Sequence, residues 1–250
     1  MRIAAAGDVH ASQRRRAELA EAFARVAEEA DLILLAGDLT THGHPEQAAV
    51  LAEACRDLRV PVVAVLGNHD LHAGRSPELV AALREGGIVV LERGFLVRDV
   101  RGVEVGVVGT KGFVGGFPGS ALPDFGEPLL RRVYAETSEE VSALERGLQA
   151  VAHCPLRIVL LHYAPVEETL EGEPLGIHAF LGSDRLARPI AEYRPDLALH
   201  GHAHAGSFEG RIADTPVYNV AVHVIGRDFH VFELDVTAPG RTDVEVDTSE

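Results

Sequence analysis

Five short stretches of the sequence carry side chains that bind metal ions or transfer protons. The stretches are Gly7-Asp8-Val9-His10, Gly37-Asp38, Gly67-Asn68-His69-Asp70, His162 and His200-Gly201-His202-Ala203-His204. Their oxygen and imidazole donors, which include no thiolate, suit divalent Mn, Fe, Co, Ni or Zn and suit calcium poorly. The donors are too many for one ion, so the sequence favours two ions that share a bridging carboxylate. Two metals about 3.5–4 Å apart are the usual arrangement for in-line attack on phosphorus.

Each of these stretches follows a short apolar run that predicts a buried strand. The runs RIAAA, DLILLA, VPVVAVL, LRIVLL and DLAL are rich in Val, Ile, Leu and Ala, as expected of strands covered on both faces. Strands that end in Asp, Asn or His place these side chains at the edge of a parallel sheet where α/β proteins bind their ligands.

Helical patterns separate the apolar runs. The spacing predicts helices over residues 14–29, 45–58 and 138–152, and another helix that opens with Ser76 as N-cap and Pro77 at its first position. Thr137 and Glu140 fit a capping box for the helix over residues 138–152. The alternation of strands and helices predicts an α/β fold.

The remaining segments predict turns, short strands and a tail. Residues 95–110 predict a hairpin that turns at Arg101-Gly102, and the glycine-rich residues 109–119 predict a surface loop. After His204, short strands are expected over residues 206–213, 216–222 and 228–236. We expect residues 1–236 to form a single domain, followed by a polar, acidic and loosely held tail over residues 237–250.

Charge and composition exclude several classes of partner. The formal net charge of −15 disfavours nucleic acid and anionic membranes, which bind basic patches. No apolar run approaches the ~20 residues of a membrane span, and the first residues lack the apolar stretch of a signal peptide, so a cytoplasmic location is expected. Cys55 and Cys154 match no metal or redox motif, which predicts reduced, buried and inert thiols.

Taken in order, the motifs GDVH, GD, GNHD, H and GHAH resemble those of the metallophosphoesterase, or calcineurin-like, superfamily. The resemblance is specific because all five motifs occur in the family's order, each after a predicted strand, and it runs from Asp8 to His204. Within the superfamily, the layout is similar to that of the small bacterial phosphodiesterases. The resemblance implies a four-layer α/β/β/α sandwich with two mixed β-sheets.

The resemblance also implies a role for each site residue. Two divalent metal ions would be held, one by Asp8, His10, Asp38 and His204 and the other by Asp38, Asn68, His162 and His202. His69 would be the general acid and Asp70 would orient its ring, while a hydroxide between the ions attacks phosphorus. His200 would be a packed residue rather than a ligand. Asn68 is also compatible with a left-handed turn residue, in addition to its role as a ligand.

The substrate is expected to be a small phosphoester. Unlike the Ser/Thr protein phosphatase branch, this sequence has no arginine beside the second and third motifs, so it favours a diester, cyclic nucleotides included. Arg75, Lys111 or Arg185 could supply a clamp for a monoester from elsewhere in the chain. Phosphomonoesterase, nucleotide pyrophosphatase and catalytically silent scaffold functions therefore stay open. Lys111 and His178, the latter close to Phe180, are the expected contacts with the substrate.

Overall fold

A computed structural model describes residues 1–236 of the chain, and the tail expected over residues 237–250 lies outside the described residues. The strands, in chain order, are β1 Arg2–Ala6, β2 Leu32–Ala36, β3 Val62–Val65, β4 Ile88–Val90, β5 Gly94–Val100, β6 Val103–Gly109, β7 Leu156–Leu160, β8 Leu197–His200, β9 Glu209–Ile212, β10 Thr215–Asn219 and β11 His230–Glu233. The α-helices are α1 Arg16–Ala27, α2 Pro45–Cys55, α3 Ser76–Glu85, α4 Pro128–Ala150, α5 His178–Leu181, α6 Ala187–Tyr193 and α7 Val222–Ile225. None of these helices is both long enough and apolar enough to cross a bilayer.

The strands form two mixed sheets. The first has the order β11-β1-β2-β3-β4, in which β1 to β4 are parallel and β11 is antiparallel to β1. The second has the order β5-β6-β7-β8-β10-β9, in which the four inner strands are parallel and both edge strands are antiparallel. The parallel strands of both sheets are the buried apolar runs that the sequence predicts.

Alternating side chains of the strands face different layers. In β1, Ile3 packs between the two sheets, whereas Ala4 faces the layer formed by α1, α2 and α3. The outer face of the second sheet packs against α4 and α6, where Leu144 and Ile190 meet Val159. The result is the α/β/β/α sandwich, so the expected fold class is confirmed.

The hairpin between β5 and β6 is also confirmed. The two strands pair antiparallel along their whole length and turn through Arg101 and Gly102. Their φ angles are 55° and 81°, the left-handed values that a two-residue type I′ turn requires.

The predicted capping box of Thr137 and Glu140 is wrong, because both residues lie inside α4. The Thr137 hydroxyl donates to the carbonyl oxygen of Val114 at 2.5 Å, and the carbonyl oxygen of Val133 in the same helix lies 3.3 Å away. The Glu140 carboxylate accepts hydrogen bonds from Arg93 Nε and from the backbone N–H of Gly112, each at 2.9 Å. Glu140 therefore ties α4 to segments that flank the second sheet instead of capping a helix.

Two further local predictions are wrong. Ser76 is the first residue of α3, Arg75 occupies the cap position, and no side chain caps this helix. Residues 109–119 do not form a surface loop throughout, because Phe117 is only 1% exposed and packs with Leu170 and Leu181. This segment therefore runs partly through the interior.

Candidate metal centre

The candidate ligands follow strands of both sheets. Asp8 and His10 follow β1, Asp38 follows β2, Asn68 follows β3, His162 follows β7, and His202 and His204 follow β8. The structure gathers them into two groups, in each of which one potential ligand atom per residue lies within 4.8 Å of the others: Asp8, His10, Asp38 and His204, and Asp38, His162 and His202. Asp38 belongs to both groups, as a bridging ligand must. Asn68 lies beside the second group, with its Oδ1 2.9 Å from His162 Nε2.

Four of these residues hold left-handed backbone conformations. The φ angle is 58° at Asp8, 45° at His10, 48° at Asp38 and 69° at His202. Such a conformation costs a residue with a side chain roughly 1–3 kcal/mol, and it persists where the surrounding structure imposes it, often at functional sites. Asn68 has φ −68° and ψ −34°, so the left-handed alternative for Asn68 is wrong.

Gly67 and Gly201 let the backbone approach the two carboxylates closely. A Cβ atom on Gly67 would lie 2.1 Å from Asp38 Oδ1, and one on Gly201 would lie 2.5 Å from Asp8 Oδ2. Both distances are impossibly short for non-bonded atoms. Because glycine has no side chain, these positions leave room for each carboxylate, and the Cβ atom of any other residue would occupy that space.

Asp8 and Asp38 are almost completely buried. Asp8 accepts hydrogen bonds from the His202 backbone N–H at 3.0 Å and from His204 Nε2 at 2.9 Å. Burial raises the pKa of Asp8, with a smaller contribution from the nearby Asp38 charge, and the hydrogen bond to Asp8 raises the pKa of His204. Within residues 1–236, histidines are the only basic side chains paired with these carboxylates. Two adjacent buried anions therefore lack a strong permanent counter-charge.

The ring of His162 shows that a cation fits the second group. Its Nδ1 lies 2.9 Å from the carbonyl oxygen of Ala36 and donates to it, so Nε2 carries a lone pair. Burial lowers the pKa of His162 to about 3, which keeps the ring neutral. The Nε2 lone pair then faces Asn68 Oδ1 at 2.9 Å and Asp38 Oδ1 at 3.4 Å. Three acceptors meet without a proton between them, and a cation among them would remove the repulsion.

His10 and His202 are also neutral, so their rings can offer a nitrogen lone pair to a metal ion. The buried Nδ1 of His10 has no hydrogen-bond partner among the described residues, and burial lowers the pKa of His10 to about 4. Burial likewise lowers the pKa of His202 to about 3, and its Nε2 donates to the carbonyl oxygen of Phe180 at 3.2 Å. Each ring thus has one nitrogen free to bind a metal ion, and the whole donor set fits two divalent cations.

The His69 ring borders both ligand groups. Its Nε2 lies 3.8 Å from Asp38 Oδ2, and its Nδ1 lies 2.8 Å from the carbonyl oxygen of Thr41. The Thr41 carbonyl therefore orients the ring and leaves Nε2 directed toward Asp38. The ring also lies 4.7 Å, centroid to centroid, from the ring of His10.

The expected contact between Asp70 and the ring of His69 is wrong. The buried Asp70 carboxylate accepts hydrogen bonds from the backbone N–H groups of Leu39, Thr40 and Gly67 at 2.8–3.0 Å. These contacts join the loop after β2 to the loop after β3. Burial raises the pKa of Asp70 to about 6, against the lowering effect of these hydrogen bonds. Asp70 thus positions the loops that carry Asp38 and His69.

His200 and His178 lie outside the two ligand groups. His200 is buried, and its ring nitrogens lie 2.8 Å from Thr169 Oγ1 and 2.8 Å from the carbonyl oxygen of Gly201, as expected of a packed histidine. The ring of His178 is buried between Glu167 and Glu173 at 3.3 Å from each, so the structure does not support its expected contact with the substrate.

Phe180, which follows the expected substrate contact His178 by two residues, is 60% exposed. Three further residues that border the site, namely Tyr163, His223 and Thr41, are not among the sequence predictions. The ring of Tyr163 lies 4.5 Å from that of His202, and its position directly after His162 was a signal for it. The ring of His223 stacks on that of His204 at 4.1 Å. No sequence signal points to His223, whose segment has no recognisable motif. Thr41 follows the Gly37-Asp38 motif by three residues, but it acts through its backbone carbonyl, which residue type does not reveal.

The sandwich and the paired ligand groups define a class of phosphoester hydrolases. The calcineurin-like phosphoesterase family matches residues 1–206, and the chain belongs to this family. Its members hydrolyse phosphoester bonds, and the two clusters of Asp and His described above are its candidate metal site. No curated protein sequence matches the chain.

Several solved structures are similar to this one. Phosphopantetheinyl hydrolase (PptH) from Mycobacterium tuberculosis is 18% identical with a TM-score of 0.65, and the match covers 95% of this chain and 98% of that one. A putative 5′-nucleotidase from Staphylococcus aureus is 18% identical with a TM-score of 0.56, over 87% and 48% of the two chains. A hypothetical protein from Thermus thermophilus is 19% identical with a TM-score of 0.51, over 88% and 75%. These likenesses concern the fold.

Proposed function

We propose that this chain is a phosphodiesterase that depends on two divalent metal ions. The observation that carries the proposal is the membership of Asp38 in both ligand groups, because a two-ion site needs a shared carboxylate. One ion would be held by Asp8, His10, Asp38 and His204, and the other by Asp38, Asn68, His162 and His202. When bound, the ions would supply activation of water for attack on phosphorus and charge neutralisation at the phosphoryl oxygens. Mn, Fe, Zn, Co and Ni all suit this donor set.

His69 is the residue proposed to protonate the leaving oxygen. The hydrogen bond from Nδ1–H to the Thr41 carbonyl leaves Nε2 as the nitrogen that faces the site and gives up the proton. The side chain is 32% exposed, so the ring can regain a proton from solvent after each turnover. Histidine is the side chain that most often acts as general acid toward a leaving group.

A diester preference is supported by the positions of the arginines. The Arg185 guanidinium stacks on the ring of Tyr134 at 3.9 Å and donates to Ser138 Oγ at 2.6 Å. Arg75 lies within 4.0 Å of Glu46 and Glu78. Three cations were candidates to clamp a phosphomonoester dianion, and two of them, Arg75 and Arg185, are thus engaged by other side chains. Small diesters, cyclic nucleotides included, are the proposed substrates.

The test is metal analysis followed by a substrate panel. The purified chain is assayed with added Mn²⁺ against bis(4-nitrophenyl) phosphate, 4-nitrophenyl phosphate, a cyclic nucleotide and a nucleoside diphosphate ester. We expect about two metal ions per chain and a kcat/KM for diesters at least ~10-fold above that for the monoester. Faster hydrolysis of the monoester would contradict the diester assignment. Full metal occupancy without turnover of any ester would favour a catalytically silent scaffold.

The role of His69 has its own test. His69→Ala is expected to reduce hydrolysis of an alkyl diester at least ~100-fold and that of a nitrophenyl diester much less, because nitrophenolate leaves without a proton. His72→Ala is the matched control, since its exposed ring lies 4.5 Å from that of His69. Metal content should be unchanged in both variants. Equal losses on the two esters would refute the general-acid role.

A further inference from the structure

Lys111 is the only lysine among the 23 Lys and Arg residues of the chain. Its amino group donates one hydrogen bond, to the carbonyl oxygen of Gly112 at 2.9 Å. It lies 4.3 Å from the ring centroid of Phe113 and 5.0 Å from that of Tyr163. An ammonium group has three donors, so two donors of Lys111 remain uncommitted within the described structure.

These uncommitted donors border a cavity of about 280 Å³. Three of its lining residues are apolar, namely Leu66, Leu71 and Leu91. The other five are charged and consist of Lys111, Arg93 and three glutamates, among them Glu140. A pocket that combines apolar side chains with fixed polar groups is typical of sites for small organic ligands.

Three of the lining residues are linked to the candidate metal centre, two through the chain and one by a backbone hydrogen bond. Leu66 immediately precedes the Gly67-Asn68 loop, and Leu71 ends the short helical turn that begins at His69. The carbonyl oxygen of Lys111 accepts a hydrogen bond from the backbone N–H of His162 at 3.0 Å. A group attached to a phosphate at the metal centre could therefore extend into the cavity.

The charges around the cavity disfavour a second anion there. Arg93 is paired with Glu136, Glu139 and Glu140, and the Glu140 carboxylate also accepts from Thr110 and Gly112, so these groups satisfy one another. The lining holds three carboxylates against two cations and is net negative. Lys111 is thus the cation of the lining that no described carboxylate pairs with, and an uncharged acceptor suits its spare donors best.

We propose that this cavity binds the organic arm of the substrate, an inference that depends on the phosphodiesterase function proposed above. The arm is uncharged and combines an apolar chain with a carbonyl or amide oxygen. The apolar chain packs against Leu66, Leu71 and Leu91, and Lys111 Nζ donates to the oxygen. Diesters with such an arm are the preferred substrate class.

The test compares symmetrical phosphodiesters, in which both arms are identical. The arms are methyl, pentyl, 4-acetamidobutyl and 4-carboxybutyl, and the released alcohol is measured by mass spectrometry with Mn²⁺ present. We expect kcat/KM to be highest for the acetamidobutyl ester, at least ~10-fold above the dimethyl ester, with the pentyl ester between them. The carboxybutyl ester should be poorer than the acetamidobutyl ester.

Lys111→Met tests the donor directly. The ratio of kcat/KM for the acetamidobutyl ester to that for the pentyl ester should fall at least ~10-fold in this variant and be partly restored in Lys111→Arg. Arg98→Met, a change on the exposed face of β5, is the control and should leave the ratio as in the wild type. An unchanged ratio in Lys111→Met, or a carboxybutyl ester that is the best substrate, would overturn the proposal.

A second measurement separates this proposal from the proposed activity. Acetylation of Lys111 by an amine-reactive ester is followed by mass spectrometry in EDTA, with the amino group of Met1 as internal reference. Bis(4-acetamidobutyl) phosphate should slow labelling of Lys111, and dimethyl phosphate should not. Protection without hydrolysis of any ester would refute the activity and support the cavity's role. Hydrolysis without arm preference or protection would refute the cavity's role alone.

Discussion

Two clusters of carboxylates, one around the buried Glu140 and the other formed by the buried Asp8 and Asp38, are built in opposite ways. Glu140 accepts from Arg93, Gly112 and Thr110, so its charge and its lone pairs are satisfied by the protein. Asp8 and Asp38 are equally buried, but the basic partners that the described residues provide for them are histidines. Buried charge alone therefore does not indicate a ligand site.

What distinguishes the two clusters is the missing counter-charge. At the metal centre, the lone pairs of His162, Asn68 and Asp38 converge without a donor between them. A half-satisfied polar network costs more than a complete one, so such a site gains stability when a cation binds there. The comparison predicts that metal ions should stabilise one cluster and leave the other unaffected.

The largest effect is expected for Asp38→Asn, which removes the shared carboxylate. Hydrolysis should fall at least ~100-fold, because both ligand groups lose a member. Stability in EDTA should be almost unchanged, since asparagine keeps an oxygen for the His69 backbone N–H and removes one of two adjacent buried charges. Activity assays and urea unfolding check this, with the exposed Asp57→Asn as control. Retained activity would contradict the bridging role.

Glu140→Gln is expected to lower the free energy of unfolding by about 2 kcal/mol, because it removes a buried charge that three groups contact. The loss should be the same in EDTA and in Mn²⁺. Glu139→Gln is the matched control, since Glu139 lies on the same helix and contacts Arg93 but is 63% exposed, and it should cost less than about 0.5 kcal/mol. A loss that depends on metal would contradict the contrast between the clusters.

Mn²⁺ should raise the free energy of unfolding of the wild-type protein by binding at the candidate metal centre. At a free concentration ten times the dissociation constant, binding to the folded state alone raises the free energy of unfolding by about 1.4 kcal/mol for each ion bound. Glu140→Gln should show the same increment, and Asp38→Asn should show little of it. Thermal unfolding with and without EDTA measures the three increments. Equal increments in all variants would mean that Mn²⁺ binds elsewhere.

The smallest effect is expected for Thr110→Val, which removes one donor to Glu140 without changing the side-chain volume much. We expect a loss of about 1 kcal/mol in the free energy of unfolding, independent of metal. In the double variant Thr110→Val/Glu140→Gln, the loss should be smaller than the sum of the single losses, because the two residues share one hydrogen bond. Strict additivity would contradict the hydrogen bond.

The sequence predicted the structure best where a functional side chain directly follows the strand that positions it. Asp8, Asp38 and Asn68 directly follow apolar strands, and neighbouring parallel strands must bring such residues to one edge. The sandwich therefore agrees with the expectation drawn from short motifs, and the structure places side chains that could hold metal ions in two groups. The left-handed angles at Asp8 and Asp38 had no comparable signal, because they are imposed by the surrounding structure.

Predictions failed where a side chain takes its partner from a distant segment. Asp70 was expected to contact its neighbour His69 but bonds to the backbone of Leu39 and Thr40 instead. Glu140 matched a local capping pattern with Thr137, yet its partners lie on other segments. In both cases a local rule gave a plausible partner, and tertiary contacts decided otherwise.

The division of the candidate ligands between the two sheets has a kinetic consequence. Asp8, His10, Asp38 and Asn68 follow strands of the first sheet, and His162, His202 and His204 follow strands of the second. Ions bound between these ligands would cross-link the two sheets, so the sheets could separate only after ligands had dissociated from the ions. Bound metal would then lengthen the lifetime of the native state chiefly by slowing escape from it.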